Sequence, residues 1–123
     1  MSLDVIRGRL DQMAAESGVR GCALVDAATG MIWLASTNAA LHLSIWEAAV
    51  DYWRLHERHK RLFTELGPLR AAVMHHASGL LAILPCTSEP ELLLVAHGAQ
   101  KRVDWRAWQE QVRQIGQLIR NGP

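Results

Sequence analysis

Histidines are the first residues in this chain that could do chemistry. His56 and His59 stand three apart in a segment of helical pattern, and His75 and His76 are adjacent at the end of an apolar run. A protein zinc site needs three or four ligands in a tetrahedron, and helical histidine pairs that hold zinc stand four apart with an acid close by. Neither pair has that spacing. The histidines therefore read as surface or interface groups, and no metal or cofactor is expected. Cys22 and Cys86 are the candidate nucleophiles, and a nucleophilic thiol needs an acid–base partner to form the thiolate. Both lie inside apolar runs with no such partner at a motif spacing, so buried structural thiols are expected. Asp26 precedes Ala27-Ala28-Thr29-Gly30, which is the position of a turn residue rather than a catalytic acid. The glycines are isolated and spell no phosphate-cradling or dinucleotide pattern. No catalytic residue emerges, and the chain is expected not to be an enzyme.

The densest basic run is Arg54, Arg58, Lys60 and Arg61, partly offset by Glu57 and Asp51. Its bland reading is a solvated helix face. Its functional reading makes Arg54, Arg58 and Arg61 a docking patch for a protein partner. Trp105 and Trp108 lie in phase with Val112 and Ile115, so they read as core anchors rather than a stacking platform. Globally, 13 basic residues against 12 acidic ones give a net charge of +1, which supplies no case for nucleic acid or an anionic membrane. No run approaches the roughly 20 apolar residues that span a bilayer. Asp4, Arg7, Arg9 and Asp11 break up the first turns, so no export leader is expected and the expected compartment is the cytoplasm.

The element that must position most of these residues is the run Leu43 to Phe63, which reads as one long helix. Trp46, Ala49, Val50 and Trp53 make one apolar stripe, enough to dock on a core. A second row, Ile45, Ala49, Tyr52, His56, His59 and Phe63, follows i, i+4, i+7, i+11, i+14, i+18 on a neighbouring face. A chain of 123 residues is expected to be a single domain with one core. The second face therefore calls for a partner subunit.

Around that helix the order is regular. Leu3 to Ser17 repeats apolar residues at three and four, and Gly18 ends it. Gly21 to Asp26 and Met31 to Ser36 are β-type runs across a turn signal, apolar on both alternations, which implies a sheet covered on both faces. Gly67-Pro68 stops the long helix. Leu69 to His75, Leu80 to Pro85 and Leu92 to His97 follow with tight turns as an antiparallel meander. Asp104 then caps a last helix carrying Trp105, Trp108, Val112, Ile115 and Ile119. The fold class is α+β, in the order α-β-β-α-β-β-β-α.

That order, the run Glu16-Ser17-Gly18-Val19-Arg20-Gly21-Cys22-Ala23-Leu24-Val25-Asp26 followed by Thr29-Gly30, the long central helix and the Gly79 turn together resemble the Roadblock/dynein light chain family, a branch of the profilin-like, longin-related architecture. The likeness covers nearly the whole chain, 1–123, and is carried by turn and core residues. It implies a five-stranded antiparallel sheet with the long helix on one face and the terminal helices on the other. It also implies a homodimer in which long helices pair and third strands meet edge to edge. Ile45, Ala49, Tyr52, His56, His59, Phe63, Ala71 and Val73 would line that interface. Members of the family are non-catalytic: adaptors on dynein, scaffolds for small Ras-like GTPases, and bacterial dimers that accelerate hydrolysis by a partner GTPase. The alternative, from another class, is a small-molecule sensor, because profilin-like sheets also build ligand pockets. A thiol- or metal-dependent enzyme comes third.

Overall fold

Strands that are apolar on both alternations need cover on both faces, and the chain provides it. The computed structural model describes residues 3–16, 18–38, 43–99 and 104–121. Ser17, at the expected end of the first helix, lies outside these residues. The elements are α1 (Leu3–Ala14), β1 (Val19–Asp26), β2 (Ile32–Ala35), α2 (Leu43–Arg58), a 3-10 segment (Lys60–Leu66), β3 (Ala72–His76), β4 (Gly79–Ser88), β5 (Glu91–Gly98) and α3 (Trp105–Arg120). The strands form one five-stranded antiparallel sheet in the order β2-β1-β5-β4-β3.

Alternate residues of the same strands fill two cores. Cys22, Leu24, Ala82, Leu84 and Leu94 pack with Ile6, Leu10 and Met13 of α1 and Trp108, Val112 and Ile115 of α3. Ala23, Val25, Ile83, Leu93 and Val95 face the other way, onto Trp46, Ala49, Val50 and Trp53 of α2. Two buried tryptophans at roughly 200 Å² each contribute on the order of 10 kcal/mol before the entropy cost, which explains how one helix can hold a whole face. On the opposite face α1 and α3 are also tied side by side, through Arg9 to Gln114 (2.6 Å) and Gln111 to Glu16 (2.6 Å). Asp104 caps α3, its carboxylate accepting from the Ala107 N–H at 3.1 Å.

The central helix is shorter than its sequence pattern. It stops at Arg58, His59 has φ −112° and ψ 12°, and the chain continues as the 3-10 segment with Phe63 also non-helical. The cause is docking. The buried stripe ends at Trp53, none of residues 60–66 is buried, and nothing beyond that point holds a straight helix against the sheet. β3 begins at Ala72 rather than Leu69, whose side chain instead packs against the α2 core. β4 runs past Pro85 to Ser88, because pairing with β3 ends at Ile83 and a bulge follows Pro85, where a missing N–H costs no ladder bond.

α3 approaches β4 at backbone distance. A Cβ on Gly116 would stand 2.4 Å from the Cys86 carbonyl oxygen, whereas one on Gly8 in α1 would meet nothing within 4 Å. Gly116→Ala should therefore destabilise by about 1–3 kcal/mol through forced separation of helix and strand. Gly8→Ala should stabilise by about 0.5–1 kcal/mol. Urea unfolding followed by tryptophan fluorescence measures both, and effects of the same sign would contradict this packing.

Candidate interaction face

The two flanks of α2 are unlike. Arg54 lies on the flank over β1 and β2, where its guanidinium donates to the carbonyls of Ala27 (2.9 Å) and Ala28 (2.9 Å) and to Asp51 (2.9 Å). Those carbonyls belong to the turn that Asp26 organises. The Asp26 carboxylate accepts from the N–H groups of Ala28 (2.8 Å) and Thr29 (3.0 Å), and Gly30 takes φ 79° to return the chain into β2. Asp26 is thus a turn residue. Arg54, expected as part of a docking patch, has three of its N–H groups bonded within the fold and a side chain that is 37% exposed.

The other flank faces β4 and β3. Ile45 lines a hollow with Leu80, Leu81 and the β3–β4 turn, and His56 borders a groove with Pro68, Leu69 and Pro85. Farther out, Tyr52 is 57% exposed, and the 3-10 segment adds Leu62 at 78% and Leu66 at 82%. Leu55 and Phe63 are exposed as well, with Phe63 stacked on His56 at 5.3 Å between ring centroids. The Nδ1 of His56 is buried with no hydrogen-bond partner. Beside this flank runs β3, which has β4 on one side and, among the described residues, no strand on the other. Exposed apolar side chains next to an open strand edge are the physical profile of an interface.

The expected interface residues sort as follows. Ile45 and His56 are half-buried on this flank, and Tyr52, His59, Phe63 and Val73 are exposed. Ala49 is not on it: at 1% exposure it belongs to the core beneath α2, because its i, i+4 row overlaps the docking stripe. Ala71 is half-buried against the α1/α3 core. Arg58 and Arg61 are exposed. Sequence reasoning passed over Leu55, on the exposed side of α2 itself, and Leu62 and Leu66, which stand exposed in the 3-10 segment that follows the helix end at Arg58.

The thiols are held inert. Burial pushes both Cys22 and Cys86 up to about 12. Their Sγ atoms donate to helix carbonyls, Cys22 to Leu10 at 3.4 Å and Cys86 to Val112 at 3.6 Å. Among the described residues no three His, Cys, Asp or Glu side chains converge on a metal position, and no helix is long and apolar enough to cross a membrane.

No family model matches the chain, and no curated protein does. Solved structures do. MglB from Myxococcus xanthus superposes with a TM-score of 0.81 at 11% identity, over 98% of this chain and 99% of that one. A Roadblock/LC7 domain from Streptomyces avermitilis gives 0.73 at 18% identity, over 98% and 97%. An MglB in a tetrameric arrangement gives 0.76 at 12% identity, over 96% and 90%. At these identities the likeness is one of architecture, and the fold is that of Roadblock/LC7 domains.

Two outcomes follow from this geometry. Arg54→Ala should cost about 1–2 kcal/mol through two lost bonds to turn carbonyls, while Arg58→Ala stays within about 0.5 kcal/mol, as an exposed side chain does. Chemical denaturation compares them. With an aromatic disulfide reagent at pH 8, both cysteines should label slowly in the folded chain and at once in urea. A rapidly reacting thiol equivalent in the folded state would contradict their burial.

Proposed function

We propose that this chain, taken as one Roadblock-like domain over 1–123, is a non-catalytic regulatory module that acts as a homodimer and docks a small Ras-like GTPase. One observation carries the reading. The flank of α2 that holds Tyr52, Leu55 and half-buried His56, together with Phe63 of the 3-10 segment, presents exposed apolar side chains beside the open edge of β3. Covering half of those side chains in each copy is worth several kcal/mol at about 25 cal/mol per Å². A two-fold contact meets both needs at once, since the same helix flank and strand edge recur on the second copy. The regulatory role rests on the resemblance and on the shared fold. Arg58 at the end of α2 and Arg61 in the 3-10 segment, both exposed, are the cations best placed to steer a partner, since Arg54 also bonds the turn.

A second reading rests on a different observation. A hollow of about 360 Å³ lies between Ile45, Leu80, Leu81 and His97, within the size range of small-ligand sites. Burial, assisted by Arg20, holds His97 below the ordinary histidine value, and its Nδ1 is buried with no hydrogen-bond partner. A small apolar ligand with one polar atom would suit it.

Sedimentation velocity separates the two. The chain should be a dimer at micromolar concentration, and Tyr52→Glu should weaken association about 100-fold or more, equivalent to roughly 2.7 kcal/mol. A monomer at micromolar concentration removes the dimer. A Ras-like GTPase recovered with the tagged chain should hydrolyse GTP faster in its presence, and Arg58→Glu with Arg61→Glu should weaken their association. An unchanged hydrolysis rate would leave a scaffold. If instead Leu81→Trp, which fills the hollow, removes a thermal shift produced by a small heterocycle and leaves the dimer intact, the sensor reading gains.

A further inference from the structure

On the face of the sheet opposite α2, α3 borders a groove of about 460 Å³ lined by Arg70, Arg106, Arg113 and Arg120 over a floor of Leu84, Pro85, Cys86 and Val112. Arg106, Arg113 and Arg120 recur every seven residues, which is about two helical turns, so they stand in one row roughly 10 Å apart along α3. Arg70 closes the groove from the sheet side, two residues before β3 begins. In a chain whose net charge is +1, this is a local concentration of charge: four guanidinium groups with Glu110 as the single carboxylate of the lining. Glu110 pairs with Arg113. Arg70, Arg106 and Arg120 have no ion-pair partner among the described residues.

We propose that this groove docks an acidic peptide segment of a partner protein in extended conformation. Guanidinium forks match carboxylates bidentately, whereas a solvated face has no need for four of them around one hollow. The aliphatic floor asks for apolar side chains between the acids. Binding of single-stranded nucleic acid relies on aromatic platforms. Among the described residues no aromatic ring lines this groove, and nearby Trp105 is half-buried and engaged edge-on with Trp108. An extended polyproline-type segment rises about 3.1 Å per residue, so every third side chain falls on one face about 9 Å apart, close to the arginine spacing. Room for it exists because β4 continues beyond Ile83, where its pairing with β3 ends. The groove lies largely across the sheet from the α2 flank and meets the His56 groove at Pro85 on the β4 margin.

The test is fluorescence anisotropy on the full chain at about 50 mM salt, where exposed charge pairs are weakly screened. The probe is a labelled peptide of four Glu-Pro-Leu repeats, compared with its Lys-Pro-Leu counterpart and with an oligothymidine of the same number of units. The acidic peptide should bind and its basic counterpart should not. Arg106→Ala with Arg113→Ala should weaken binding about tenfold or more, whereas Arg58→Ala with Arg61→Ala on the other face should change it less than about twofold. These arginines are exposed, and circular dichroism confirms that the variants fold. Binding that ignores the groove variants, or that the basic peptide shares, overturns the proposal. Tighter binding of the oligothymidine with the same variant dependence would make the groove a nucleic-acid site instead. A change in sedimentation of the chain alone on mutating the groove would make its occupant a second copy.

Discussion

The structure depends on a sheet that is apolar on both faces. Leu24 and Val25 are neighbours in β1, both without solvent exposure, and they serve different cores. Leu93 and Leu94 do the same in β5. Such strands cannot be left against water on either side, so the helices are obligatory parts of the fold. Two of them share one face through their side-to-side contacts. The other face is left to α2 alone, which meets the requirement with Trp46 and Trp53 rather than with a second helix.

That economy shapes the surface. A single helix over a five-stranded sheet cannot reach both margins, and Arg54 ties α2 to the turn between β1 and β2. The β3 margin is consequently the thinly covered one, and it is there that Tyr52, Leu55 and Phe63 remain exposed. The asymmetry coincides with Arg54's bonds to backbone oxygens far away in sequence. It gives the molecule a closed side and an open side on the same helix.

Much of this was legible in the residues. The order of elements, the two-sided strands, the Asp26–Gly30 turn, the Asp104 cap and the stripe through Trp46, Val50 and Trp53 all follow from local chemistry. The expected sheet with its helix layers is also present. What escaped was decided by tertiary contact. Ala49 fits an outer row by spacing, yet a small residue on a helix flank goes wherever the helix sits closest to the sheet. The helix pattern continues through Phe63, but pattern alone does not show where the sheet stops supporting it. Arg54 looks like any exposed cation until its acceptors, carbonyls of a distant turn, are in place. The α3 arginines carry a legible signal in their seven-residue spacing, but spacing alone does not show that Arg70 and the β4 residues Leu84 to Cys86 complete a groove around them.

The extension of β4 past β3 bears on how the sheet can grow. Beyond Ile83 the outer side of β4 would be a tempting template for a foreign strand, but Pro85 withholds a donor there and the bulge turns the strand out of register. At the opposite end, β2 offers only four residues and its own irregular pairing with β1. β3 is the margin with neither defence, and a contact between two copies of it is isologous, so it consumes the edge on both. A two-fold contact through β3 would therefore close on itself and leave no β3 edge for a third copy.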